Sequence, residues 1–208
     1  MTELLYTLEN GCRAKGYVFV AGTDEAGRGC LAGPVVAAAC ILPEGASIPG
    51  LNDSKKLSAK RREALYDVII NAAVSYGIAE ASAEEIDSIN ILNAALLAMK
   101  RAVDKLSPTP DIVLVDGNKS PDFGIIPSMT VVHGDGISPS IAASSILAKV
   151  YRDRLLVSLD AEYPGYGFAK NKSYCTKEHV EALLRLGPAP CHRKTFLSFL
   201  EEKNERAE

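Results

Sequence analysis

A chain of 208 residues with 47% hydrophobic and 24% charged residues has the length and balance of one well-buried globular domain, not two. A formal charge of −3 argues against a general polyanion binder, and the longest apolar stretch, Pro34 to Leu42, is far short of the ~20 residues that span a bilayer. With no basic-then-apolar leader pattern, and five cysteines that form no C-x-x-C pair, a cytoplasmic protein without disulfides or structural zinc is expected.

Strand-like runs rich in Val, Ile and Ala occur at Tyr17–Thr23, Pro34–Leu42, Val74–Ala79, Ile112–Asp116 and Met129–His133, most of them bounded by Gly, Pro or Asn. Helical spacing after Ser58 places Leu65, Val68, Ile69 and Ala72 on one stripe. A capping box, Ser82 with Glu85, opens a second helix with Ile86, Ile89, Leu96, Leu97 and Val103 inward and Asn93 interrupting. Ser138-Pro139 opens a third through Ile141, Ile146, Leu147, Val150 and Leu155. A Tyr- and Gly-rich loop, Tyr163 to Phe168, precedes a short helix from Thr176 that stops at Gly187-Pro188. An amphipathic piece, Phe196 to Leu200, leads into a charged tail. Mixed strands and helices predict an α/β domain around one mixed sheet.

Charge is unevenly placed. Residues 53–62 and 167–194 are each net +4, which leaves −11 on the remainder. Either segment could be no more than a solvated helix face.

The segment Asp24-Glu25-Ala26-Gly27-Arg28-Gly29 interrupts the end of an apolar strand with two acids. Neighbouring strand residues face opposite sides, so both carboxylates reach one site only if the backbone leaves strand geometry nearby, as Gly27 and Gly29 permit. The spacing is not that of a dinucleotide loop, since G-x-G-x-x-G is missing and Pro34 opens another strand. Asp116 ends a second apolar strand beside Gly117, and Asp135 follows a third. Each alone suits a turn; together, three strand-end acids suit a site for hard cations at one sheet edge.

The Asp24–Gly29 run, continuing through Leu31-Ala32-Gly33-Pro34, resembles the opening of bacterial ribonuclease HII, of the type 2 ribonuclease H family. Asn52–Ser58, Val115–Asn118, Gly134-Asp135, Ala142–Asp153 and Tyr174–His179 match the same family in order. The resemblance implies a ribonuclease H-like mixed sheet flanked by helices, with a small C-terminal helical extension: a core over 1–160 and a substrate-binding extension over 161–208. It implies an endoribonuclease with a Mg²⁺ or Mn²⁺ site on Asp24, Glu25, Asp116 and Asp135. Substrate contacts would fall on Gly27, Arg28, Gly29, Lys55 and Tyr174, with Asp153 only orienting neighbours. The implied partners are RNA–DNA hybrids and DNA duplexes containing ribonucleotides, cut 5′ of the ribonucleotide by a monomer. Departures are Ala-Ala-Ser-Ser at 142–145, where Ala-Ala-Ala-Ser is common, and Cys175, where glycine is usual.

Overall fold

Strand β2 (Val35–Ile41) alternates between two apolar surfaces, and this alternation organises the domain. Val35, Ala37, Ala39 and Ile41 join one buried cluster, Val36, Ala38 and Cys40 another. All seven residues are buried, because β2 lies inside the sheet and both faces are covered. The computed structural model describes residues 4–199. Its sheet runs in the order β3 (Ser75–Ala81), β2, β1 (Val20–Ala26), β4 (Ile112–Asp116), β5 (Ser128–Val131). The β3–β2 and β2–β1 pairs are antiparallel, and β1–β4 and β4–β5 are parallel. This is the expected α/β mixed sheet flanked by helices.

Around it lie α1 (Thr7–Arg13), α2 (Ala59–Ala72), α3 (Ala83–Val103), α4 (Pro139–Glu162), α5 (Phe168–Asn171) and α6 (Lys177–Leu186). Helix α3 packs on the Val35 face, α2 and α4 on the Val36 face. Helices α1 and α5 carried no periodic apolar signal strong enough to be predicted. Helix α3 starts with the expected capping box, but its break falls at Asn90 (φ 65°), not at Asn93. The Asn90 side chain accepts the Leu92 and Asn93 N–H groups and so caps a second helical segment. That break rotates the stripe, so Ala94, Ala95, Ala98 and Ala102 are buried while Ile89 is exposed. In α2 Val68 is likewise exposed, and in α4 it is Leu156 that is fully buried, with Leu155 only partly so. Of the expected Phe196–Leu200 piece, the described part begins with a 3-10 turn, Lys194–Phe196; Leu200 and the charged tail lie outside the described residues.

Helix α4 approaches β1 at backbone contact. A Cβ on Gly22 would stand 2.3 Å from the Ile141 nitrogen and the Ser140 carbonyl carbon, both backbone atoms. The Ser144 hydroxyl donates to the Gly22 carbonyl at 2.8 Å. The start of α4 is held by Glu9 of α1, fully buried, whose carboxylate accepts the Ser138 hydroxyl (2.6 Å) and the Ser140 N–H (3.1 Å). An anion there complements the helix dipole.

Backbone atoms cannot swing aside as a side-chain end can. Gly22→Ala is therefore expected to cost about 3 kcal/mol, the upper end for overpacking, and to lower the melting midpoint by roughly 6–12 °C. A wild-type midpoint in thermal denaturation would show that helix and strand are not held at backbone contact.

Candidate active site

Because β1 and β4 run parallel in the register Val20↔Ile112 to Thr23↔Val115, the next residues along them, Asp24 and Asp116, emerge at the same sheet end. Asp24 and Glu25 remain in ladder register with Ala38 and Ala37 of β2. The backbone thus leaves strand geometry just after both acids, at Gly27 (φ 97°), the first of the two glycines that the sequence pattern points to. Both side chains still face one cleft, since β4 stops at Asp116 and leaves the edge beyond it open.

That cleft, of about 370 Å³, is lined by Asp24, Glu25, Gly27, Arg28, Lys55, Asp116 and Tyr174 among the predicted residues. Two predicted residues lie outside it. Gly29 is exposed on the turn, and Asp135 is buried in the 3-10 turn Gly134–Gly136. Asp135 is linked to the cleft through an ion pair with Lys55 at 3.4 Å. The cleft also takes in Ser54, Arg62, Ser145 and Lys149, which sequence reasoning did not single out. The basic run 53–62 and the small-residue start of α4 were the available signals. A larger hollow of about 700 Å³ lies at the opposite sheet end, around Arg13, Tyr17 and Leu42; among the described residues its only acid is Glu44.

Asp24 is 4% exposed. One of its oxygens accepts the Glu25 N–H at 2.7 Å, and it also takes a hydrogen bond from Ser145, whose hydroxyl lies 2.9 Å from that of Ser54. Burial, then the charges of Glu25 and Asp116, push its carboxyl well above the ordinary value of 3.8. Burial raises Glu25 as well, opposed by Arg28 at 3.1 Å. Asp116 accepts the Gly134 N–H at 2.7 Å, tying β4 to the Asp135 turn. Burial raises Asp135 too, against the pull of Lys55. Burial alone would lower Lys55, but Asp135 and Asp24 carry it above its usual value.

Tyr174 enters from the opposite wall. Lys172 and Ser173 before it both have left-handed backbone (φ 53° and 62°), held there by tertiary bonds: the Ser173 carbonyl accepts the Leu31 N–H at 2.8 Å. The Tyr174 carbonyl meets His179 Nδ1 at 2.9 Å. His179 Nε2 meets His192 Nε2 at 3.1 Å, and the Ala189 N–H donates to His192 Nδ1 at 3.0 Å. One tautomer satisfies the whole chain: an Nε2 proton on His192 and an Nδ1 proton on His179. Burial pushes His192 down to about 4, so the pair stays neutral. These histidines brace the tyrosine and lie outside the cleft.

The family model for ribonuclease HII matches residues 21–199. The chain belongs to the ribonuclease HII family. It is 56% identical over 197 residues to the ribonuclease HII of Ruegeria pomeroyi, covering 94% of this chain and 83% of that one. The crystal structure of ribonuclease H2 from Pyrococcus horikoshii superposes with a TM-score of 0.73 at 26% identity, covering 90% of this chain and 99% of the other. A Bst ribonuclease HIII determined in complex with Mn²⁺ shares the fold, with a TM-score of 0.65 at 17% identity over 92% of this chain and 70% of that one. As a ribonuclease HII, the chain is a ribonuclease H, an endoribonuclease acting on RNA–DNA hybrids in a divalent-metal-dependent family.

The donor set fits a hard divalent cation. The acids of the cleft offer only carboxylate oxygens, and their mutual repulsion is what a cation would relieve. Among the described residues no three His, Cys, Asp or Glu side chains are drawn together closely enough to hold a metal ion as they stand. Glu25 is turned to Arg28 and Asp135 to Lys55, so the site is open-sided, with room for water and substrate oxygens to complete a coordination shell.

The raised Asp24 carboxyl has a signed consequence. The native state binds the proton more tightly than the unfolded chain, so metal-free stability falls as pH rises from about 3.8 through the elevated native value. Asp24→Asn removes that charge at nearly constant volume and keeps an acceptor for the Glu25 N–H. In EDTA at pH 8 the variant is expected to melt several degrees above the wild type, with the gap closing toward pH 4. Thermal melts across that range test this; parallel curves for the two proteins would reject it.

Proposed function

We propose that the chain hydrolyses the phosphodiester on the 5′ side of a ribonucleotide, in RNA–DNA hybrids and in DNA duplexes with embedded ribonucleotides, leaving 5′-phosphate and 3′-hydroxyl ends. The observation that carries this reading is one cleft lined by Asp24, Glu25 and Asp116 together with Arg28, Lys55 and Tyr174. Asp24, Glu25, Asp116 and Asp135 would hold two cations, Mg²⁺ or Mn²⁺. When bound, these supply an activated water, charge neutralisation at phosphorus and stabilisation of the leaving 3′-oxygen.

The remaining roles belong to the chain's own groups. The Gly27-Arg28-Gly29 turn projects beside the acids and would read the 2′-hydroxyl and the adjacent phosphate through backbone N–H groups and the Arg28 guanidinium. Tyr174, half exposed on the far wall, would stack at the RNA-to-DNA junction. Lys55, whose side chain is 79% exposed although its amine pairs with Asp135, would hold a backbone phosphate. Asp153 accepts from Lys149 at 2.7 Å and approaches Arg62 at 3.8 Å, so it orients two cations that line the cleft. Residues 1–160 would form the catalytic core. Residues 161–208 would be an extension that carries the tyrosine, acting on nucleic acid in the cytoplasm.

Asp24→Asn and Asp116→Asn are expected to stay folded and lose cleavage by at least about 10²–10³-fold, the loss typical of one group that stabilises transition-state charge. Activity within tenfold of wild type, on a duplex with one ribonucleotide and Mg²⁺ or Mn²⁺, would reject the assignment.

If phosphate contacts dominate affinity, exchanging the single ribonucleotide for its deoxy form should weaken binding by only ~1 kcal/mol, one hydrogen bond, and yet stop cutting. Affinity and cleavage measured on matched duplexes at fixed salt and metal check this separation. Comparable cleavage of both duplexes would leave a general metal-dependent nuclease.

A further inference from the structure

Two arginines are buried with no carboxylate partner among the described residues: Arg152 of α4, 1% exposed, and Arg193, 0% exposed. Their guanidinium groups bond only to backbone carbonyls. Arg193 donates from Nη2 to Gly27 (2.7 Å), from Nη1 to Arg28 (2.9 Å) and from Nε to Gly33 (2.9 Å). Arg152 donates to Ala32 (3.0 Å) and Pro34 (3.1 Å), and across to Lys172 (3.3 Å). It also lies hard against the turn, since a Cβ on Gly27 would stand 2.0 Å from its Nε. Burying a cation is costly unless its donors are satisfied, and six carbonyls converging on two planar forks is what keeps these two inside.

In a planar trans peptide the C=O of one residue points opposite to the N–H of the next. Arg193 draws the Gly27 and Arg28 carbonyls inward, so the Arg28 and Gly29 N–H groups must point away from it, out of the core. Neither N–H has an acceptor among the described residues. We propose that Arg193 is a positioning residue for the Gly27-Arg28-Gly29 turn, aiming its two backbone donors at the substrate, while Arg152 locks that turn to the loop that carries Tyr174. The inference rests on the proposed role of the turn in contacting the ribose and its phosphate. It assigns to two residues outside the cleft the preorganisation on which that contact depends.

The test is steady-state cleavage of a duplex with one ribonucleotide by Arg193→Lys, which keeps the charge but cannot span three carbonyls. The control is Leu183→Ala, which loosens the same C-terminal cluster without a hydrogen bond to the turn. Arg193→Lys is expected to lower kcat at least tenfold with KM within threefold, because misplacing reacting groups costs rate more than affinity. Leu183→Ala is expected to keep kcat within twofold at an equal or larger drop in melting temperature. The proposal is overturned if Arg193→Lys keeps kcat within twofold, or if Leu183→Ala loses as much at a matched melting temperature. Should Arg193→Lys not fold, Arg152→Lys is judged by the same criteria. Arg28→Ala, measured alongside, separates the two levels. Unchanged kcat and KM there would remove the Arg28 guanidinium from the contact and leave it to the two backbone donors, whereas an impaired Arg28→Ala beside an unimpaired Arg193→Lys would refute the positioning role alone.

Discussion

The backbone-to-backbone approach of α4 onto β1 is the constraint from which the rest of the architecture follows. It is possible only because Gly22 has no side chain and because α4 presents Ala142, Ala143, Ser144 and Ser145 along its first turns. Larger residues there would lift the helix away. At that short distance Ser145 reaches Asp24 and also Ser54, so one helix face sets both the acid and the start of the basic segment. The same seat needs a buried carboxylate, Glu9, at the helix start, which binds α1 into the arrangement.

Unlike charges are buried here for different ends. At the sheet edge, burial and then the charges of Glu25 and Asp116 raise the proton affinity of Asp24, a repulsion that a bound cation would relieve. Behind the turn, the hydrogen bonds of the two arginines go to neutral carbonyls among the described residues, with the Phe196 ring 5.3 Å from the Arg193 guanidinium, and burial brings Arg193 down to about 10. Had carboxylates neutralised these arginines, they would have added to the negative charge near the cleft. Carbonyls hold the guanidinium groups without adding any, and so tie down the loop between β1 and β2 from behind. Strained backbone at Lys172 and Ser173 is held by the same network, which keeps the tyrosine wall at a set distance from the acid wall.

Local pattern made much of this legible. Apolar runs rich in Val, Ile and Ala mark the strands and the acids at their ends mark one sheet edge, and the capping residues Ser58, Ser82, Ser138 and Thr176 all cap helices in the structure. Seven of the nine residues singled out from the sequence line one cleft. The misplaced stripe of α3 has a local cause: the sequence pattern puts its interruption at Asn93. Asn90 resets the phase of α3, which moves burial from its leucines to its alanines.

By itself, then, the sequence determined the element types, the acids at the strand ends and the ordered motifs that mark the family, since these depend on neighbours a few residues apart. Tertiary structure alone decided which acids share a cleft, that Asp135 stands behind Lys55, and that Arg152 and Arg193 hold the turn. Parallel pairing of β1 with β4 joins residues about ninety positions apart, and the Arg193 bonds to Gly27 and Arg28 span 166 and 165. No local periodicity encodes such a contact. It arises because a buried guanidinium must find acceptors wherever the folded chain presents them.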